Sequence, residues 1–325
     1  MKQTRITRKW DSRQFVAGGQ EVINLPIGND MESLMFYLTG SIDVTTAFST
    51  VRSEGISRLI RKVDILLDGQ TVATISGAML SHGNFQRESA RILVSPLTTV
   101  GNHSCESFAV MDFANIGGVR PKDTNLKTRG ARSFQAMIQW GQLSDVFTGA
   151  GVATTSLTLH TMVRETKEPD GAQEPEALRL YRYMEKGYSS SQEDRIQLDP
   201  NVLYRAIMLR GEINGERSPN VITAARVQIG SEVIFDLTST QIEDINSLDG
   251  NFVLPSGYML IDFAPSPDGL VKLSDMCDTH GHADAYLILT VNGGATNKVC
   301  IVSHEIEVLH HHIARNKAKR EFEAA

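Results

Sequence analysis

The sequence predicts an all-β protein of two tandem eight-stranded jelly rolls, with a short linker helix and basic terminal arms. Three observations support this fold class. Short segments rich in Val, Ile, Leu and Thr recur along the chain, and several alternate apolar with polar residues as half-buried strands do. Turn sequences such as LDGQ, IGSE and NGGATN separate these segments. The segments also occur in the same order in both halves of the chain.

The composition is that of an ordinary globular protein, with 325 residues, 41% of them hydrophobic and 22% charged. This length suits about two domains. No apolar run approaches the ~20 residues that span a bilayer, and no apolar segment follows the basic N-terminus, so we expect no secretory signal. Cys105, Cys277 and Cys300 are too few for a disulfide framework. We expect buried thiols in a protein assembled in a reducing cytoplasm.

Ten segments have the composition and spacing of strands. In chain order they are 33–44, 63–69, 70–76, 133–140, 154–163, 204–213, 225–230, 232–237, 285–293 and 298–309. Segment 81–131 is predicted to be a long loop that crosses between sheets.

Two segments are predicted to be helices. In 175–186, Pro175 stands at a first turn and Leu178 and Tyr181, with Leu180 or Met184, share a face. The second segment is the C-terminal IARNKAKREFEAA.

The acidic stretch ETKEPDGAQEPEAL, which carries two prolines and a glycine, is the clearest linker. The predicted organisation has five parts. They are a basic N-terminal arm (1–14), a first jelly roll (15–165), an acidic linker and helix (166–186), a second jelly roll (187–310) and a basic C-terminal tail (311–325).

Five blocks recur in the same order in the two halves. They are LTGSI with LRGEI, Gly69 and Val72 with Gly230 and Val233, SGAML with TSTQI, 134–142 with 285–294, and 156–163 with 300–307, which aligns His160 with His304. Each block is weak alone, but the shared order indicates duplication. A period of ~150 residues is much longer than that of solenoid or propeller repeats. It therefore indicates two whole domains of one kind.

The duplicated blocks, with the stretch RKVDILLDGQTVATISGAMLSHGN, resemble the double jelly-roll major capsid proteins of tailless icosahedral bacteriophages with an internal membrane. Corticoviruses and tectiviruses are the nearest of these, and the resemblance covers 15–310. It implies a non-enzymatic homotrimer, a pseudo-hexagonal capsomer that tiles an icosahedral shell around the membrane. It also implies assembly in the host cytoplasm and a place in the virion shell. The implied partners are other trimers, penton and minor capsid proteins and the membrane, with no small-molecule substrate.

Both ends of the chain are basic, although the net charge is −6 and the whole has no nucleic-acid signature. The resemblance places the N-terminal arm beneath the shell. We expect the arms to face lipid headgroups or genome, the alternative being solvated ends. In a helix, Ile6 and Trp10 would share one side as an interfacial anchor. The arm residues are Lys2, Arg5, Arg8, Lys9, Trp10 and Arg13, and those of the tail are Arg315, Lys317, Lys319 and Arg320.

The best metal candidate is CDTHGHAD, which offers His280, His282 and Asp284. On a strand, an H-x-H pair presents both imidazoles on one face, an arrangement that suits Zn²⁺. A second, spaced ligand cluster is missing, and a polar turn before a strand explains the same residues. We therefore predict no cofactor and leave a structural metal ion open. We expect the HHH stretch at 310–312 to be solvated or inter-subunit.

Two other function classes, an enzyme and a binding protein, have weaker support in the sequence. GNHSCESF suggests a nucleophile at Ser104 or Cys105, but neighbouring strand residues point to opposite faces. No nucleophile elbow, P-loop or dinucleotide motif is present, so we predict no enzyme. The main alternative is a non-catalytic carbohydrate- or receptor-binding jelly-roll protein, a spike or lectin. Such sites expose aromatic residues, and here aromatics are only 6% of the chain.

Overall fold

The computed structural model describes residues 4–81, 92–93, 98–114, 124–167, 177–250, 254–265 and 275–308. The first half contains twelve strands within these ranges. They are β1 (Thr4–Gln14), β2 (Gln20–Asn24), β3 (Asp30–Thr46), β4 (Thr50–Val51), β5 (Ile60–Leu67), β6 (Gln70–Ile75), β7 (Ile92–Leu93), β8 (Gly101–Asp112), β9 (Leu126–Lys127), β10 (Phe134–Trp140), β11 (Phe147–Thr148) and β12 (Val152–Lys167).

The described part of the second half contains ten strands. They are β13 (Ala177–Gly187), β14 (Gln192–Gln197), β15 (Leu203–Ile213), β16 (Glu216–Arg217), β17 (Ile222–Ile229), β18 (Glu232–Thr238), β19 (Tyr258–Asp262), β20 (Cys277–Asp278), β21 (Ala285–Val291) and β22 (Lys298–Val308). Helical segments are few: a 3₁₀ turn (Gly55–Leu59), α1 (Gly77–Leu80), α2 (Leu143–Val146) and α3 (Ser239–Gly250). No helix within the described ranges combines the length and apolar character needed to cross a bilayer.

The strands of the first half form two sheets that pack face to face. One has the order β1-β12-β3-β8, with β7 beyond β8 and β9 on β3, and the other has the order β6-β5-β10-β2. The second half repeats this topology as β13-β22-β15-β19, with β20 on β15, and as β18-β17-β21-β14. Without the two-residue strands, each half is therefore an eight-stranded sandwich with the same strand order, which confirms the predicted pair of jelly rolls.

The two sandwiches meet where β13 of the second lies parallel to β6 of the first, with Tyr181 opposite Ala73. This junction joins four strands of the first half and six of the second, two of which are the two-residue strands β16 and β20, into one continuous sheet. In this shared sheet, the face of β13-β22-β15 that points away from the core of the second sandwich therefore continues the face of β6-β5-β10-β2 that lines the core of the first. Tyr181, Met208 and Val302 from that face lie in the same hydrophobic core as Ala73 and Phe134.

The helix predicted at 175–186 is wrong where the structure describes it, because 177–187 is the strand β13. β13 pairs with β22 along its whole length, with Ala177 opposite Val308 and Gly187 opposite Lys298. Leu, Ala and Arg favour helices only weakly, by less than about 1 kcal/mol per residue. Pairing on both sides of the strand outweighs that preference.

The long loop predicted for 81–131 is also wrong, because β8 occupies its centre and pairs with β3 from Val44 to Ser33. The inward side chains of β8 include Cys105, Ser107 and Ala109, which are small or polar and hide the strand pattern. α1 and α3 each follow the equivalent hairpin of their half, so SGAML and TSTQI do correspond.

Two of the predicted correspondences shift in register. Gly40 lies opposite Leu157, and its repeat partner Gly211 lies opposite Val299. His160 therefore corresponds to Val302, and the predicted match with His304 is off by two residues.

The predicted match between the β5–β6 and β17–β18 hairpins is also offset. Each hairpin carries a β-bulge, at Val72 in β6 and at Ile234 in β18. The bulges correspond, so the predicted match of Val72 with Val233 is off by one residue. Gly69 and Gly230 occupy different positions of their turns.

The repeated glycine of LTGSI and LRGEI is a packing requirement, which yields a stability prediction. A Cβ on Gly40, whose φ is +146°, would lie 2.0 Å from the Ser156 carbonyl oxygen. We expect Gly40→Ala to lower the free energy of unfolding by about 1–3 kcal/mol, measured by chemical denaturation. Gly28→Ala is the control, because Gly28 has a φ of +111° and no atom within 4 Å of its Cβ position. Equal losses at the two positions would contradict the steric explanation.

Candidate functional site

The basic N-terminal segment is an edge strand of the first sandwich. β1 pairs antiparallel with β12 from Thr4 to Gln14, so the helical arrangement of Ile6 and Trp10 is wrong. Trp10 sits at a bulge between Lys9 and Asp11. Its indole is 38% exposed, and Nε1 donates a 2.6 Å hydrogen bond to the Asn24 carbonyl oxygen.

The arginines of β1 pair with carboxylates of the sandwich. Arg5 Nε lies 2.8 Å from a Glu32 oxygen, and Arg8 Nη2 lies 2.9 Å from a Glu165 oxygen. Both carboxylates are buried, whereas the Arg5 and Arg8 side chains are 63% and 45% exposed. Arg13 pairs at the surface with Asp11 at 2.9 Å. Pairing with β12 holds β1 to the sheet, and the arginines add charge-assisted contacts to the two buried carboxylates.

Several predicted site residues lie outside the described residues. These are Lys2, the histidines at 310–312, the predicted C-terminal helix, and the tail residues Arg315, Lys317, Lys319 and Arg320.

The metal candidates lie in the turn that precedes β21, as the alternative explanation expects, and not on a strand. Gly281, with a φ of +79°, separates His280 from His282. His280 Nδ1 lies 2.6 Å from a carboxylate oxygen of Asp278, and the His282 amide donates to the Thr279 carbonyl oxygen. Over the part of the chain that is described, no group of three His, Cys, Asp or Glu side chains is arranged to hold a metal ion.

The three cysteine thiols are free and buried, as the sequence predicts. Burial raises the pKa of Cys105 to about 11, and burial with the Asp278 charge raises that of Cys277 to about 12. Both thiols are therefore protonated at neutral pH, and a protonated thiol is a poor nucleophile. Burial alternates along β8, with Cys105 inside and Ser104 exposed, so these residues do not form a joint catalytic group.

A buried charge cluster between the two sandwiches was not predicted. Glu54 has a left-handed φ of 63° just before the turn Gly55–Leu59. Its fully buried carboxylate lies 2.8 Å from Arg210 Nη2, 3.1 Å from Arg217 Nη1 and 3.3 Å from Arg58 Nη2. Arg210 and Arg217 belong to the second half, so Glu54 joins the halves through charge-assisted hydrogen bonds.

Further polar contacts surround this cluster. Arg52 Nη1 donates to the Asn214 carbonyl oxygen at 2.8 Å. The Ser53 amide and hydroxyl both donate to a Glu216 oxygen at 3.1 Å. Arg210 also pairs with Glu212 on its own strand. The loop after β4 is thus bound to the end of β15 and to β16.

An aromatic side chain completes the cluster from the second half. The Tyr258 hydroxyl donates to the Ala78 carbonyl oxygen of α1 at 3.1 Å. The guanidinium groups of Arg210 and Arg217 lie 5.7 and 5.8 Å from its ring centroid, within cation–π range. Burial raises the pKa of Tyr258 well above its ordinary value, so the phenol keeps its proton and acts as a donor.

A second contact between the halves is built on a buried arginine. Arg179 Nη1 donates to the Ala114 carbonyl oxygen at 3.0 Å, and Nη2 lies 3.1 Å from His304 Nδ1. Burial, with the charges of Arg179 and Arg205, holds the pKa of His304 well below its ordinary value. The neutral imidazole therefore accepts a hydrogen bond from Arg179. This contact fixes β13 and β22 against the end of β8.

The repeat itself carried a signal for the Glu54 cluster. In the first half the block reads LTGSI, with uncharged residues flanking the glycine, whereas the second half reads LRGEI. The two added charges are Arg210 and Glu212, both buried. A charge gained on a strand in only one copy of a repeat indicates a contact that only that copy makes.

No protein-family model matches the chain, and no curated protein matches it. Solved structures do match. The major capsid protein of Sulfolobus turreted icosahedral virus aligns with a TM-score of 0.73 at 16% identity, over 94% of this chain and 97% of that one. The major capsid protein of bacteriophage PM2 aligns with a TM-score of 0.63 at 16% identity, over 94% of this chain and 98% of that one. VP54 of PBCV-1 aligns with a TM-score of 0.65 at 12% identity, over 94% of this chain and 93% of that one.

These similarities extend over nearly the whole length of both partners, so both sandwiches and their order are shared. The fold is the double jelly roll, which confirms the predicted fold class. The particular solved proteins that share it are viral major capsid proteins, as the sequence resemblance implied.

The Glu54 cluster yields a prediction for the junction. Glu54→Gln leaves buried arginines without their carboxylate, so we expect the free energy of unfolding to fall by about 3 kcal/mol or more in chemical denaturation. Asp11→Asn is the control, because an exposed ion pair contributes at most about 1 kcal/mol. Similar small losses for both variants would show that the cluster does not hold the junction.

A buried carboxyl on β22 yields a pH prediction. Burial raises the pKa of Glu305 from its ordinary 4.5 to about 7, although Arg182 Nε lies 2.7 Å away. A raised folded-state pKa gives stability that is complete below the unfolded pKa and is lost as pH rises through the folded one. We therefore expect stability to fall between pH 4.5 and 7 relative to Glu305→Gln. Parallel denaturation midpoints of the two proteins across this range would contradict the raised pKa.

Proposed function

We propose that this protein is the major capsid protein of an icosahedral virus, acting as a homotrimer that tiles the virion shell. The observation that carries the proposal is a duplicated sandwich, fused edge to edge and shared over nearly full length with viral capsid proteins. Three copies would supply six sandwiches of one topology. Such a trimer has a six-sided outline, and six-sided units tile flat facets.

The geometry of the junction supports this role. A trimer can imitate a hexagon only if the two sandwiches of each chain keep a fixed angle. The Glu54 cluster and the Arg179 contact each bind the two halves at a separate point of the junction. Two separated contacts restrict rotation about either one.

A structural role without catalysis is part of the proposal. It is supported by the role of the solved neighbours, which are capsid proteins, and by the protonated state of the Cys105 and Cys277 thiols. Assembly in the host cytoplasm agrees with these free thiols, since disulfides are rare in that compartment.

Contact with an internal membrane and with penton and minor capsid proteins completes the proposal. The feature that supports lipid contact is Arg5 at the start of β1, whose side chain is 63% exposed although it pairs with Glu32. A basic residue near an anionic membrane surface contributes about 1 kcal/mol.

The oligomeric state tests the proposal. The chain has a mass of 35.8 kDa, and we expect size-exclusion chromatography with light scattering to give three times that value. Negative-stain images of the same peak should show a six-sided outline. A stable monomer would overturn the proposal, and a monomer that binds immobilised glycans would favour the carbohydrate-binding alternative.

A further inference from the structure

The junction inside the chain is a template for contact between chains, an inference that rests on the proposed function. Within the chain, the edge of β6 is covered by β13. The repeat makes β18 the equivalent of β6 and β1 the equivalent of β13. As far as the described residues go, β18 ends its sheet and β1 ends its own. Each chain therefore has one occupied junction and both halves of a second, open junction.

We propose that β18 of one copy lies beside β1 of a second copy, parallel to it, as β6 lies beside β13 within the chain. The contact is head-to-tail, so each copy uses β18 toward one neighbour and β1 toward the other. A head-to-tail contact whose rotation closes produces a ring. In such a ring, every sandwich meets the next one through the same pair of strands.

The hairpin and helix of the second half expose the apolar surface that this contact would bury. Ile234 on β18 is 40% exposed, and Ile245 and Leu248 on α3 are 39% and 79% exposed. At the equivalent bulge of the first half, Val72 is only 9% exposed. The bulge residue is thus buried in one copy of the repeat and exposed in the other.

The outer face of the first sandwich has the complementary difference. Tyr37, Phe108 and His160 form a partly exposed cluster on it, with Tyr37 centroid distances of 6.4 Å to Phe108 and 6.1 Å to His160. In the register of the repeat, Tyr37 corresponds to Met208 and His160 to Val302. Those two residues are fully buried against the first sandwich. A second sandwich would cover the aromatic cluster in the same way.

Charge complementarity favours a second copy of this chain as the occupant. β18 and α3 expose four acidic residues: Glu232, Asp236, Glu243 and Asp244. β1 exposes Arg5, Arg8 and Lys9. A guanidinium has five N–H donors, so an arginine that pairs with one carboxylate can still bind a second. Opposite charges on the two surfaces also favour head-to-tail contact over contact of like surfaces.

The register of the template specifies where the strands should meet. Lys9 of β1 corresponds to Tyr181 of β13. The residue of β12 opposite Lys9 and the residue of β22 opposite Tyr181 occupy equivalent positions in the repeat. Ala73 corresponds to Phe235, the residue after the bulge in β18. Phe235 packs on the core, so the exposed Asp236 next to it is the suitable position for a probe.

Cross-linking tests this contact. The three native thiols are buried, so Lys9→Cys with Asp236→Cys places two accessible thiols in each chain. We expect a short bismaleimide to link this double variant into covalent dimers and trimers on a denaturing gel. The control is Lys9→Cys with Glu193→Cys, because Glu193 lies on β14 at the opposite edge of the same sheet. That edge is three strand spacings away, roughly 14 Å, and should give no linked species.

The outcomes separate this inference from the proposed function. Light scattering could show trimers while cross-linking occurs through the Glu193→Cys pair or through neither pair. That result would overturn the β18–β1 contact and leave the capsid proposal standing. A monomer that never cross-links would overturn both.

A second variant, Ile245→Asp, changes an exposed residue and should not affect folding. We expect it to raise the trimer dissociation constant at least about tenfold at unchanged monomer stability. A trimer of unchanged affinity would contradict the role given to α3.

Discussion

The architecture depends on one contact, the parallel junction of β6 with β13. Only Tyr181 and Ala73 are in register there, so the backbone supplies few hydrogen bonds to join two sandwiches. The rest comes from side chains: an apolar face shared with the first core, and buried polar groups at its margins. The apolar part provides most of the favourable free energy, but it is non-directional and defines no particular angle. Orientation must come from groups that bind at one geometry only.

Glu54 has that property. Its carboxylate is buried, so it has to be matched by hydrogen-bond donors or it costs several kcal/mol. The donors come from Arg58 in the same half and from Arg210 and Arg217 in the other. A small rotation of one sandwich would separate the carboxylate from two of its three partners. Apolar residues at these positions would give comparable or greater stability, but they would tolerate sliding. We infer that the buried charges serve the orientation of the sandwiches more than their stability.

The sequence predicts the parts of this fold that are encoded locally. The alternating strands and the close-packed glycines Gly40 and Gly211 are visible within a few residues, and their order reveals the duplication. Elements that depend on distant partners are mispredicted. Ala177–Gly187 has helical composition and becomes a strand only because β6 and β22 flank it. Gly101–Asp112 hides its pattern behind small inward residues. Glu54 cannot be recognised alone, since its two partners in the other half, Arg210 and Arg217, lie more than 150 positions away.

The two copies of the sandwich differ on the face where their surroundings differ. In the second copy the outer face carries Met208 and Val302, which are covered when the chain folds. The first copy has Tyr37 and His160 at those positions, amphipathic side chains that tolerate water and still offer area for contact. A face buried during folding can be fully apolar, because it is never exposed in the folded monomer. A face that is buried only on association is exposed in the monomer until then, so its side chains must keep the monomer soluble. The chemistry of the two faces thus follows the order in which they would be covered.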